Sequence, residues 1–177
     1  MKTKVTLFLA AVLLLTGCDL FKDAATITIP TDLTVDVPVV AIEKKSADLV
    51  SDVNAIDFSG SATLSLADNP DIADYLEKIR EVTLEKVVIT VNELGSATVN
   101  TITASVANVG TLGTQTNVTS TNNSFTPTVD QSVYDAAEAR LLDDKQITVT
   151  VTGNVSGPVT FTVHFNFTSE IVAGVLD

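Results

Sequence analysis

The chain has 177 residues, and its 22 acidic residues against 10 Lys and Arg give a net charge of −12. That balance disfavours nucleic acid and anionic lipid headgroups as partners, because both would have to approach against the protein's own field. A single cysteine excludes an internal disulfide, and one cysteine with one histidine cannot make up an ordinary zinc site.

In chain order, Lys2 and Lys4 give a positive start, and Val5 to Leu15 is apolar except for Thr6. This run is too short to span a bilayer as a helix, which takes about 20 residues, and has the form of an export signal. Leu15, Thr16 and Gly17 then lead directly into Cys18. In these residues the chain resembles bacterial lipoproteins, whose lipobox runs Leu, a small or polar residue, Gly or Ala, then Cys. The resemblance implies that residues 1–17 are removed as a signal peptide and that Cys18 becomes an acylated N-terminus. Two or more acyl chains hold a protein stably at a membrane, where one does so only marginally. By the same resemblance Asp19 is a sorting residue. Next to the cysteine it favours inner-membrane retention in enterobacterial lipoproteins, whereas charges soon after the cysteine favour surface export in those of the Bacteroidota. The expected place is therefore the bacterial cell envelope, lipid-anchored to the inner or outer membrane. Loss of Lys2 and Lys4 makes the remaining chain still more acidic.

Residues 18–25 are expected to form a short tether and residues 26–177 a single domain. From Thr26 onward the chain is rich in Thr and Val with apolar residues at period two, the pattern of half-buried strands. Leu33, Val35, Val37 and Val39 share one face of the first strand, and Pro38, which cannot donate to a ladder, marks it as an edge. "FSGSA" at Phe58 to Ala62 reads as a turn, followed by a short strand at Ala62, Leu64 and Leu66. In "DNPDIADYLEKI", Pro70 suits a first helical position, Asp68 or Asn69 can cap it, and Ile72, Leu76 and Ile79 make an apolar stripe. After it, Val82 and Leu84 are out of phase with Val87, Ile89 and Val91, so a bulge is expected near Glu85 and Lys86.

Further strands are expected over 97–107, 114–119, 146–152 and 159–168, with a polar hairpin and its loops over 108–124. In "DQSVYDAAEARLLDDK", Asp130 or Ser132 can cap a second helix whose stripe is Val133, Ala137 and Leu141. The expected fold is mainly β: an antiparallel β-sandwich of about seven or eight strands with two short amphipathic helices. Both helices lead into an "ITV" strand, a Gly/Ser turn and another strand, which suggests an internal repeat. In its Thr/Val strands, its "NPDIADYLEKI" segment and its acidity, the domain has the general style of small all-β lipoproteins of the Bacteroidota.

Chemistry is sparse. In "VTFTVHFNFT", His164 falls in a row with Thr160, Thr162, Asn166 and Thr168, opposite the apolar Val159, Phe161, Val163, Phe165 and Phe167, which is the position of a solvent-facing residue. No G-x-S-x-G supplies a nucleophile for it. Asp68, Asn69, Asp71 and Asp74 offer oxygens but not a calcium loop, and capping already accounts for them. No catalytic residue, metal ligand or cofactor is therefore assigned. The leading expectation is a membrane-anchored envelope lipoprotein with a non-enzymatic binding or structural role, whose partner is an envelope protein or a surface polymer. The alternatives are a carrier or chaperone for a lipid or other apolar ligand, and a hydrolase using a carboxylate pair.

Overall fold

The computed structural model describes residues 25–42 and 55–175. The expected signal peptide of residues 1–17, Cys18 and Asp19 lie outside the described residues. Eight strands form: β1 (Thr26–Ala41), β2 (Ile56–Ser65), β3 (Ile79–Asn92), β4 (Val99–Val106), β5 (Gly110–Val118), β6 (Ser124–Phe125), β7 (Gln146–Val155) and β8 (Val159–Gly174). They make two four-stranded antiparallel sheets, sheet A in the order β1-β8-β3-β6 and sheet B in the order β2-β7-β4-β5. Apart from the β4–β5 hairpin, every connection crosses from one sheet to the other. This is the strand order of an eight-stranded jelly roll, two Greek keys laid face to face, and it is the expected β-sandwich.

Period-two alternation places the core between the sheets. Along β8, Phe161, Val163, Phe165, Phe167, Ile171 and Ala173 are all buried. Phe161 meets Phe58 of the facing sheet edge-to-face, with ring centroids 5.1 Å apart. Ser169 interrupts the apolar row, and its hydroxyl donates to the Thr31 carbonyl at 2.8 Å, so this buried polar group is satisfied. β1 is an edge strand, as Pro38 requires, and Leu33, Val37 and Val39 are buried on its inner face.

The expected bulge is present: the register of β3 against β8 shifts between Leu84 and Lys86, and again between Ile79 and Glu81. Val82 and Leu84 on one side and Val87, Ile89 and Val91 on the other consequently all point inward. A bulge inverts the backbone as well as the side chains, and the free edge of β3 records this. Val91 N–H donates to the Asn123 carbonyl at 2.8 Å, and Ile89 pairs with Phe125 of β6. Past β6 the edge is covered by the one α-helix among the described residues, α1 (Gln131–Asp144). The Val87 backbone is hydrogen-bonded to the Tyr134 hydroxyl, and Leu84 N–H donates to Glu138 Oε1 at 2.7 Å. The helix thus replaces a strand at an edge that would otherwise leave buried donors unpaired.

Three expectations are corrected. "DNPDIADYLEKI" forms no α-helix: a 3-10 turn, Leu66–Asp68, leads into it and a 3-10 segment, Ala73–Lys78, lies within it. Asn69 turns the chain instead: its Oδ1 accepts from Asp71 N–H at 2.9 Å, and its Nδ2 donates to Thr31 Oγ1 and the Asp32 carbonyl. Ile79 is taken by β3, which leaves too little chain for a stable helix. "FSGSA" is the middle of β2, not a turn. Gly60 is needed there because a Cβ would come within 2.9 Å of the Pro38 carbonyl, where β1 crosses close to β2. The stripe of α1 is rotated, with Tyr134, Ala137 and Leu141 buried and Val133 half-buried at its margin.

The segment 108–124 is mostly strand β5, followed by a tight turn in which Asn122 N–H donates to the Thr119 carbonyl at 3.1 Å. As for a repeat, β1–β4 map onto β5–β8 when the sheets are exchanged, which any pair of Greek keys allows without a duplicated sequence.

Two stability predictions follow from this packing. A Cβ on Gly153 of β7 would overlap the Thr101 carbonyl oxygen and crowd the Phe58 ring, and backbone cannot swing aside as a side chain can. Gly153→Ala should therefore cost about 1–3 kcal/mol in urea unfolding; an unchanged midpoint would show the strands free to separate there. Burial holds the Tyr134 hydroxyl above its ordinary pKa, with the Val87 hydrogen bond opposing the rise. A raised folded-state value means that the unfolded chain loses this proton first. Stability should then be intact below about pH 10 and fall as pH rises through the folded value. Tyr134→Phe should remove that part of the alkaline slope, which urea melts on either side of pH 10 will measure.

Candidate functional site

With the cores of both sheets facing inward, chemistry is left to the two outer faces, and the strand registers determine what each displays. On sheet B three rows run across all four strands. Asp57, Asn154, Thr101 and Thr116 form the first, Ser59, Thr152, Thr103 and Thr114 the second, and Ser61, Thr150, Ser105 and Thr111 the third. Thr63 and Thr148 continue the pattern on β2 and β7. Apart from Asp57 and Asn154 these positions are all Ser or Thr, and Asp57 stands at a corner. Neighbouring strands are about 4.7–4.9 Å apart and side chains on one face recur about every 6.7 Å along a strand. Apart from that corner carboxylate, the face is a lattice of hydroxyl donors and acceptors. Some hydroxyls pair, with Thr103 and Thr114 Oγ1 atoms 3.0 Å apart and those of Thr63 and Thr148 3.4 Å apart.

Sheet A is charged outside. Asp36, His164, Thr90 and Ser124 share one row across its four strands. His164 Nδ1 lies 2.7 Å from Asp36 Oδ1, and Thr90 Oγ1 donates to Ser124 Oγ at 3.1 Å. Asp32, which accepts from Asn166 Nδ2 at 3.5 Å, Lys86 and Glu170 occupy neighbouring rows. His164 is thus outward and half-exposed among Thr and Asn, as the alternation of β8 requires. Its Asp36 partner was not legible in the sequence, since the two are 128 residues apart and only the β1–β8 register joins them. The row has the order acid, imidazole, hydroxyl, but the Thr90 hydroxyl is bonded to Ser124.

The acidic residues singled out around Pro70 lie at one end of the sandwich. Asp32, Asp68, Asn69 and Asp71 line a surface depression of about 240 Å³, and Asp74 does not take part. Asn69 is occupied by the turn, and Asp71 Oδ2 accepts from Thr31 Oγ1 at 3.4 Å. Among the described residues no group of three His, Cys, Asp or Glu is arranged to hold a metal ion. The space between sheet and helix that a carrier of apolar ligands would use is filled by Tyr134, Ala137 and Leu141. No helix among the described residues is long and apolar enough to cross a membrane.

Against known proteins, no family model matches the chain and no curated protein matches it. Among solved structures it is similar to a chain of desmodium yellow mottle tymovirus, with a TM-score of 0.36 and 10% identity over 84% of this chain and 91% of that one. A chain of turnip yellow mosaic virus gives a TM-score of 0.39 and 12% identity over 84% and 85%. Likenesses of this strength say nothing about what the chain binds or does.

Proposed function

We propose that the chain is a bacterial envelope lipoprotein, held at a membrane by acyl chains on Cys18, that binds a neutral surface polymer through the outer face of sheet B and catalyses no reaction. The anchoring half rests on the sequence: a positive start, a short apolar run and Leu-Thr-Gly before Cys18. The binding half rests on one observation, that a chain with a net charge of −12 keeps one whole sheet face almost free of charge and covered with hydroxyls. A polymer rich in hydroxyls could exchange its water for that lattice without meeting a field of acids. The non-enzymatic reading is supported by His164, whose Nδ1 is engaged with Asp36 on an exposed face while the nearby Thr90 hydroxyl turns to Ser124.

Each half has its own test. Cys18→Ala should move the protein from the membrane fraction to the soluble one and remove the lipid mass from its N-terminal peptide; a variant that stays with the membrane would refute the anchor. For the face, Thr103→Lys with Thr150→Lys should weaken co-sedimentation with isolated surface polysaccharide by about tenfold or more while leaving the melting temperature unchanged. Undiminished co-sedimentation would place the contact elsewhere.

A further inference from the structure

The two sheets have four edges, and those of β1 and β3 are protected. β1 carries Pro30 and Pro38, which have no N–H to offer a new strand. β2 pairs, among the described residues, with β7 alone but carries the carboxylate of Asp57 on its edge. The edge of β3 is occupied by Asn123, the two-residue β6 and then Tyr134 and Glu138 of α1. β5 is different. Its sequence, GTLGTQTNV, holds no charge and no proline, and among the described residues its backbone pairs with β4 alone. Thr111, Thr114 and Thr116 point outward along it and are exposed.

We propose that this edge is a self-association surface, on which β5 of a second copy adds antiparallel about a two-fold axis. The occupant is argued from charge. Most approaches between two copies of so acidic a chain bring carboxylates together, and β5 offers an edge with none. It is also argued from self-complementarity. An antiparallel two-fold sets the same Thr, Gly and Gln residues against one another, with Thr opposite or diagonal to Thr, a pairing that stabilises sheets. The product is a continuous eight-stranded sheet whose outer face doubles the hydroxyl lattice. A strand-edge contact is small, so the dimer forms reversibly and its population follows concentration.

The test is a concentration series of the full chain under reducing conditions, followed by sedimentation velocity and by amide hydrogen exchange. The expected result is a shift from monomer to dimer, with exchange slowing at β5 amides and not at those of β1 or β2. Thr114→Lys with Thr116→Lys, which sets like charges across the axis on outward side chains, should weaken association by about tenfold. A chain that stays monomeric throughout the series overturns the proposal. So does a dimer that ignores the lysines or leaves β5 exchange unchanged. Exchange on the unsubstituted chain decides the matter even if the double variant folds poorly; polymer binding is read on the unsubstituted chain, because Thr114 and Thr116 belong to the hydroxyl face.

Discussion

The inward row of β8 is the constraint on which the other elements depend. β8 is paired along its whole length with β1 and over most of it with β3, so its phenylalanines and valines define the inner surface of sheet A. Each large apolar side chain buried there contributes about 1.5–3 kcal/mol of transfer free energy. A one-residue slip of β8 would turn all of them into water and carry Thr162, His164 and Asn166 into the core. Pairing Phe161 with Phe58 then ties the register of sheet A to that of sheet B.

The bulge in β3 shows how one local irregularity serves two purposes. Without it, Val82 and Leu84 would face water whenever Val87, Ile89 and Val91 faced the core. With it, the outward N–H groups of the edge also change phase, and α1 has to meet the pair Leu84 and Val87 rather than an even ladder. A helix can do so through two side chains one turn apart, Tyr134 and Glu138, where a regular strand would mismatch. The same helix buries Ala137 and Leu141, so it closes the edge and part of the core together.

What was legible in the sequence was whatever depended on alternation within a single strand. The edge position of β1, the bulge near Glu85, the inward faces and the outward place of His164 all follow from residues within a few positions of one another. The errors came where distant chain decided the matter. The Pro70 segment has good helix signals, but Asn69 is bound to β1 and Ile79 is claimed by β3. Gly60 resembles a turn residue until β1 is seen to cross it. The hydroxyl lattice and the Asp36–His164 pair belong to the same class, because their parts are visible singly but the registers that assemble them span much of the chain.

The pairing of β1 with β8 has a consequence for the way the fold is reached. Thr26 lies opposite Gly174 and Ala41 opposite Val159, so the earliest strand must wait for the latest before it has a partner. Contacts of such wide sequence separation make closure slow and late. As the chain is synthesised, β1 can meet no native neighbour in sheet A until β8 has been added, and its prolines and acids meanwhile guard a strand that has nowhere yet to go. A protein organised in this way closes sheet A only as its last step, so that the outermost strand is the one most easily released.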